Sequence, residues 1–190
     1  MISSFEYVTV LMSIVLGLGI TQILTSLARL IQKRKQLITY WPHSLWIVFI
    51  LFLHIQEWWV MYDLRTYMPW RLPVFIFIML YPVNLFIMAK LLFPDTLKGK
   101  IIDLKKFYFE NYSVLFTSLV FAAILSLIHN LFILQLKLAD QALQVLLIVA
   151  FSIITLKKYS NEWIHKAISL TIIVVMCAAI VVEWDIWLIN

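Results

Sequence analysis

Residues 41–62, WPHSLWIVFILFLHIQEWWVMY, decide the fold. The stretch holds no Lys, Arg or Asp and a single Glu. As a helix rising 1.5 Å per residue it is long enough to cross the roughly 30 Å hydrocarbon core of a bilayer. Its rings crowd the two ends, Trp41 and Trp46 at one and Trp58 and Trp59 at the other. Indoles collect in this way at membrane interfaces. Working outward, segments 8–30, 73–93, 112–136, 142–156 and 167–188 read as spans by length and by their polar or aromatic ends. The fifth has only about 15 residues, some 23 Å as a helix. It must borrow flanking residues or sit where the bilayer is thin.

Composition agrees with six spans. Of 190 residues, 64% are hydrophobic and 13% charged, against about a quarter charged in soluble domains. Spans take up roughly 125 residues, which leaves no room for a soluble catalytic or nucleic-acid-binding domain. The first apolar segment is expected to be retained as a helix rather than cleaved, because Met1 to Tyr7 carry Glu6 and no Lys or Arg. Cys177 stands alone within an apolar run, so no internal disulfide or thiolate metal site is available.

The net charge of +5 is distributed as a topology signal. One side receives Arg29, Lys33, Arg34, Lys35, Lys90, Lys98, Lys100, Lys105, Lys106, Lys157, Lys158 and Lys166, twelve in all, and the other only Arg65, Arg71 and Lys137. The positive-inside rule then predicts an all-α bundle with both termini outside and three basic loops in the cytoplasm. Loop 94–111 is the longest connection. Its segment 97–110, opening on Leu97 and ending on Glu110, mixes Ile101, Ile102, Leu104, Phe107 and Phe109 with four lysines. That composition suits an amphipathic surface helix on an anionic leaflet, or a docking surface for a cytoplasmic partner.

Three features bear on helix packing. Ser13, Gly17, Thr21 and Thr25 recur every four residues, and such a stripe lets another helix approach closely. Pro82 leaves the carbonyl of Ile78 without its helical donor and predicts a kink, with Asn84 expected to satisfy the freed group. Shifted by 104 positions, FEYVTVLMS from Phe5 falls on FENYSVLFT from Phe109, the pattern of two inverted three-helix repeats.

Ionisable side chains inside spans are costly and are functional candidates by default. The second span carries His54, Gln56 and Glu57, the fourth His129 and Asn130, the sixth Glu183 and Asp185. Counted from the inner boundaries, Glu57, His129 and Glu183 all reach roughly 21 to 26 Å, the outer third of the core. Two imidazoles with carboxylates can bind a divalent metal through His54, Glu57 and His129, relay protons, or draw a cation into an outward-facing vestibule. The alternative is that they sit at a wet interface among Trp58, Trp59 and Trp184. A haem arrangement pairs His43 and His54, eleven residues apart, with His165 and His129. It needs His43 and His165 at buried depth, whereas both lie beside Pro42 and Trp163 at the expected interface. Hydrolase, Walker and zinc-protease motifs are lacking, which disfavours an enzyme.

The run FEYVTVLMSIVLGLGITQILTSLAR from Phe5 to Arg29, followed by a basic loop and a second span ending HIQEWW, resembles small uncharacterised bacterial multi-pass membrane proteins. The resemblance covers about the first 60 residues. It implies a bacterial inner-membrane protein and carries no activity or site residues. The expected function is a small channel or transporter, a homo-oligomer, with His54, Glu57, His129, Asn130 and Glu183 forming its polar site. The alternatives are a non-transporting anchor or sensor for a cytoplasmic partner, and a metal- or haem-binding redox protein.

Overall fold

The computed structural model of the chain describes residues 3–95 and 101–182. Among them are six helices long and apolar enough to cross a membrane. They are α1 (Ser4–Gln32), α2 (Trp41–Val60), α3 (Leu72–Leu91), α4 (Leu104–Phe132), α5 (Ala142–Leu156) and α6 (Glu162–Val182). Local chemistry sets their starts. Ser3 and Glu6 close a reciprocal capping box on α1, and Pro42 and Pro73 occupy first-turn positions of α2 and α3, where a missing N–H costs nothing. The short fifth helix is extended by a turn at its start, so that Leu138–Leu156 makes a 19-residue stretch long and apolar enough to cross a membrane.

Within segment 97–110, residues 104–110 belong to α4 rather than to a separate surface helix. Residues 97–100 lie outside the described residues, and α4 begins at Leu104, eight residues before the expected start. Asp103 caps it, its Oδ1 accepting from the amides of Lys105 and Lys106 at 2.9 and 3.0 Å. Leu104 and Tyr108, one turn apart, then point into the core while Lys105, Lys106 and Glu110 face out. The lysines are the solvated face of a core helix.

Two further contacts gather the basic loops at one end of the bundle. Leu37–Ile38 (β1) pairs in parallel with Ile102–Asp103 (β2), tying the loop after α1 to the loop after α3. Glu162, at the start of α6, holds Lys105 at 2.7 Å and Lys166 at 2.9 Å, which brings in the loop after α5. Lys98 and Lys100 lie outside the described residues.

Helix pairing does not show the inverted repeat. Such a repeat would match α1 on α3 with α4 on α6, whereas α4 packs chiefly on α3 and α5, and α6 packs on α2. The small-residue stripe is also not the seam within the chain. Thr21 is exposed and a Cβ on Gly17 would meet open space, while the buried face of α1 runs through Met12, Leu16, Gly19, Ile23 and Ser26. Close approach happens on nearly the opposite face of the helix, at Gly19.

The core near the basic end is aromatic. Trp46, expected at an interface, is fully buried, with Phe116 and Phe151 centroids at 5.1 and 5.8 Å. Five residues beyond Trp41 is about 140° round the helix, so one indole faces out and the other in. Tyr40, just before α2, is buried against Tyr108 and Phe109. Burial, with a smaller push from the Glu162 carboxylate, raises its phenol to about 12. The unfolded chain ionises this group near pH 10. The folded state therefore holds the proton longer, and stability should be unaffected below pH 10 and fall as pH rises from about 10 to 12. Thermal unfolding across that range should show the loss, and Tyr40→Phe should flatten it.

Candidate functional site

Away from the basic loops the bundle is hollow. A cavity of about 370 Å³ lies among the end of α2, the first half of α3, the end of α4 and the turn before α5. Gln56 and Glu57 line it from α2, Tyr81 from α3, Ser126, His129 and Asn130 from α4, and Asp63, Asp140 and Gln141 from the connecting turns. Two cross-helix bonds hold its α4–α5 wall. Asn130 Nδ2 donates to Gln141 Oε1 at 2.7 Å, and Gln144 Nε2 donates to the Ala123 carbonyl at 2.8 Å.

Glu57, His129 and Asn130 line this cavity together, while Glu183, the third residue of the depth count, lies outside the described residues. Glu57 makes no hydrogen bond or ion pair among the described residues. His129 Nε2 is shielded from solvent and has no partner among them. A carboxylate and an imidazole nitrogen without partners among the described residues, on helices apolar enough to cross a membrane, would be costly inside a bilayer, where such groups are retained at functional sites.

His54 does not join them. It is wholly buried on the α1 side of α2, where its Nδ1–H donates to the Ile50 carbonyl at 2.7 Å. Its Nε2 is pressed on Gly19. A spacing of three residues separates two side chains by about 60°, enough to send Glu57 into the cavity and His54 into the α1–α2 seam. Glu183 and Asp185 lie outside the described residues, as do Trp184 and Trp187. Among the described residues no three His, Cys, Asp or Glu groups are placed to hold a metal ion. His54, Glu57 and His129 therefore do not make the divalent site their depths suggest.

The histidines of the haem reading are engaged by the protein itself. His43 and His165 are buried among the helices. A carbonyl can only accept, so His43 Nε2–H donates to Leu92 O at 2.8 Å, capping the end of α3. His165 Nε2–H likewise donates to Tyr159 O at 2.8 Å, while its Nδ1 accepts from the Tyr108 hydroxyl at 2.8 Å. Both nitrogens of His165 are committed, and rings of Tyr112, Phe109 and Tyr108 stand 4.5 to 5.4 Å from its own. These histidines close helix ends and loops.

Asn84 also serves a different partner from the one expected. Its Nδ2 donates to Ser118 O on α4 at 2.9 Å, not to the carbonyl freed by Pro82. A helical side chain leans back over the residues three or four before it, here 80 and 81, and so cannot reach Ile78. Asn84→Ala should weaken the α3–α4 seam by about 1 kcal/mol, the size of a cross-helix bond in lipid. Detergent thermal unfolding checks this, and Pro82→Ala should leave that bond in place.

Tyr81, Ser126, Asp140 and Gln141 are cavity residues that sequence reasoning missed. Tyr81 follows from the phase of α3 once Asn84 is known to face α4, but the turn residues carry no periodic signal. Comparison of the chain with protein-family models, with curated proteins and with solved structures finds no match.

Proposed function

We propose that the protein is a multi-pass membrane carrier whose vestibule accepts a small cationic, hydrogen-bonding solute from the extracytoplasmic side. The observation that carries this is Glu57, a carboxylate facing a cavity with no cation among the described residues paired to it. A bound cation would offset the cost of keeping that charge at membrane depth. His129, with a nitrogen unpartnered in the same wall, would accept or release a proton as the solute arrives or leaves. The other half of the bundle is filled by Trp46, Phe116, Phe151 and the Tyr108–His165 pair. A cavity closed at one end favours a carrier over an open pore. With the basic loops in the cytoplasm, by the positive-inside rule, the vestibule opens outward, and a bacterial inner membrane is the setting.

The test is uptake of radiolabelled methylammonium by liposomes holding the purified protein. Saturable uptake above that of empty vesicles is expected, lowered roughly tenfold by Glu57→Gln and less by His129→Ala, as loss of one charge partner implies. Uptake equal to that of empty vesicles, or indifferent to Glu57→Gln, would overturn the reading.

A further inference from the structure

The polar vestibule does not end at the helix ends. A second cavity of about 380 Å³ continues from it, and the two share Leu53, Gln56, Tyr81, Ser126, Asn130 and Asp140 as common wall. Each alone falls in the range of about 300 to 1,000 Å³ typical of small-molecule sites. The chemistry changes along the way. Beyond the shared wall the slot runs between Phe52, Ala122, Leu147, Phe151, Ile172 and Met176, with no charged side chain among those six. Small residues on facing helices, Ala123 on α4 and Ala179 on α6, give it width.

Its flanks are α5 and α6. The first packs chiefly on α4 and the second on α2, so the slot lies between two helices held by other partners. In a bilayer that gap faces hydrocarbon. The polar end carries the acidic side chains Glu57, Asp63 and Asp140, and among the described residues neither Lys nor Arg lines either cavity. A phosphate or carboxylate head would meet like charge there, whereas an ammonium would be paired and hydrogen-bonded.

We propose that vestibule and slot together hold a single-chain amphiphile with an amine head, which slides in from the bilayer between α5 and α6. Its ammonium lies at Glu57 and its chain fills the slot. This rests on the reading of the vestibule as a cation-accepting site and narrows the solute to one with a hydrocarbon tail. A water-soluble amine would leave the apolar slot empty, whereas a single hydrocarbon chain would fill it.

The experiment uses the full chain in phosphatidylcholine nanodiscs with two photoreactive, clickable probes of matched length, sphingosine and palmitic acid. Crosslinked peptides are mapped by mass spectrometry. The sphingosine probe should label peptides of α4, α5 and α6 about tenfold more than the palmitate probe, in keeping with one charge pair gained rather than repelled. Ala123→Trp and Ala179→Trp, on opposite walls, should each cut that labelling severalfold, and Glu57→Gln should erase the preference between probes. The two tryptophan variants back each other up should either fail to give a monodisperse protein. Equal labelling by both probes, or labelling spread over all lipid-facing helices and unchanged by both tryptophans, would overturn the proposal. Glu57-dependent methylammonium uptake with no slot labelling would reject this inference alone. Slot labelling without uptake of any amine would reject the carrier and leave the binding site standing.

Discussion

Gly19→Ala should destabilise the protein by about 1 to 3 kcal/mol, the cost of overpacking a filled seam. In an ordinary helix interior the same change is favourable by about 1 kcal/mol, because alanine loses less backbone freedom. The sign is reversed by what the new methyl meets. It would fall on His54 Nε2 and 2.6 Å from His54 Cδ2, inside any real van der Waals contact. The imidazole cannot swing clear at little cost, since it is wholly buried and its Nδ1–H is held by the Ile50 carbonyl. Gly17→Ala is the built-in control. Its Cβ meets nothing within 4 Å, so the change should be neutral or mildly stabilising. Adding His54→Ala to Gly19→Ala should recover part of the loss, a coupling between contacting residues that a double-mutant cycle reads directly. Thermal unfolding of the four proteins in one detergent decides it. Additive effects would mean that the two helices do not meet there.

Trp46→Ala should cost about 3 kcal/mol or more, while Trp41→Ala should cost well under 1. Lipid is as apolar as the core, so moving an indole from core to bilayer gains or loses little by transfer, and packing carries the difference. Trp46 is completely enclosed, with Phe49, Phe116 and Phe151 all within 5.8 Å, centroid to centroid. Deleting it leaves a hole that those rings cannot close. Trp41 is 47% exposed at the helix start and leaves none. Trp46→Phe should recover about half of the loss by refilling part of the volume. Similar melting points for the two alanine variants would place Trp46 at an interface after all.

Much of the fold is legible in the residues because span length and charge asymmetry are one-dimensional quantities. Six apolar helices and the grouping of the basic loops follow from counting along the chain. Rotation about each helix axis is not legible, and it accounts for the errors. Where every face is apolar, periodicity cannot say which way a residue points. Gly17 and Gly19 differ by 200° of helix turn, and only the position of His54 tells which of them is the contact. The same ambiguity separates His54 from Glu57 and Trp41 from Trp46. Position along the helix axis, by contrast, is readable, and two of the residues grouped by it, Glu57 and His129, line one cavity. The strand residues of the basic end carry no signal at all, since two residues of pairing fall below any pattern.

That small ladder has a mechanical meaning. Leu37–Ile38 and Ile102–Asp103 bind two loops by backbone bonds, His43 fastens the end of α3 to α2, and Glu162 clasps the third loop through lysines. All of these ties sit at one extremity of the bundle, and the hollow lies at the other. At the hollow end the Asn130–Gln141 and Gln144–Ala123 bonds keep α4 with α5, so a tilt of a few degrees of the other helices about the clasped end would shift their far ends, some 30 Å away, by about an ångström or more. The clasped end is thus the fulcrum. Small angular freedom there becomes changes in width where Glu57 and His129 stand.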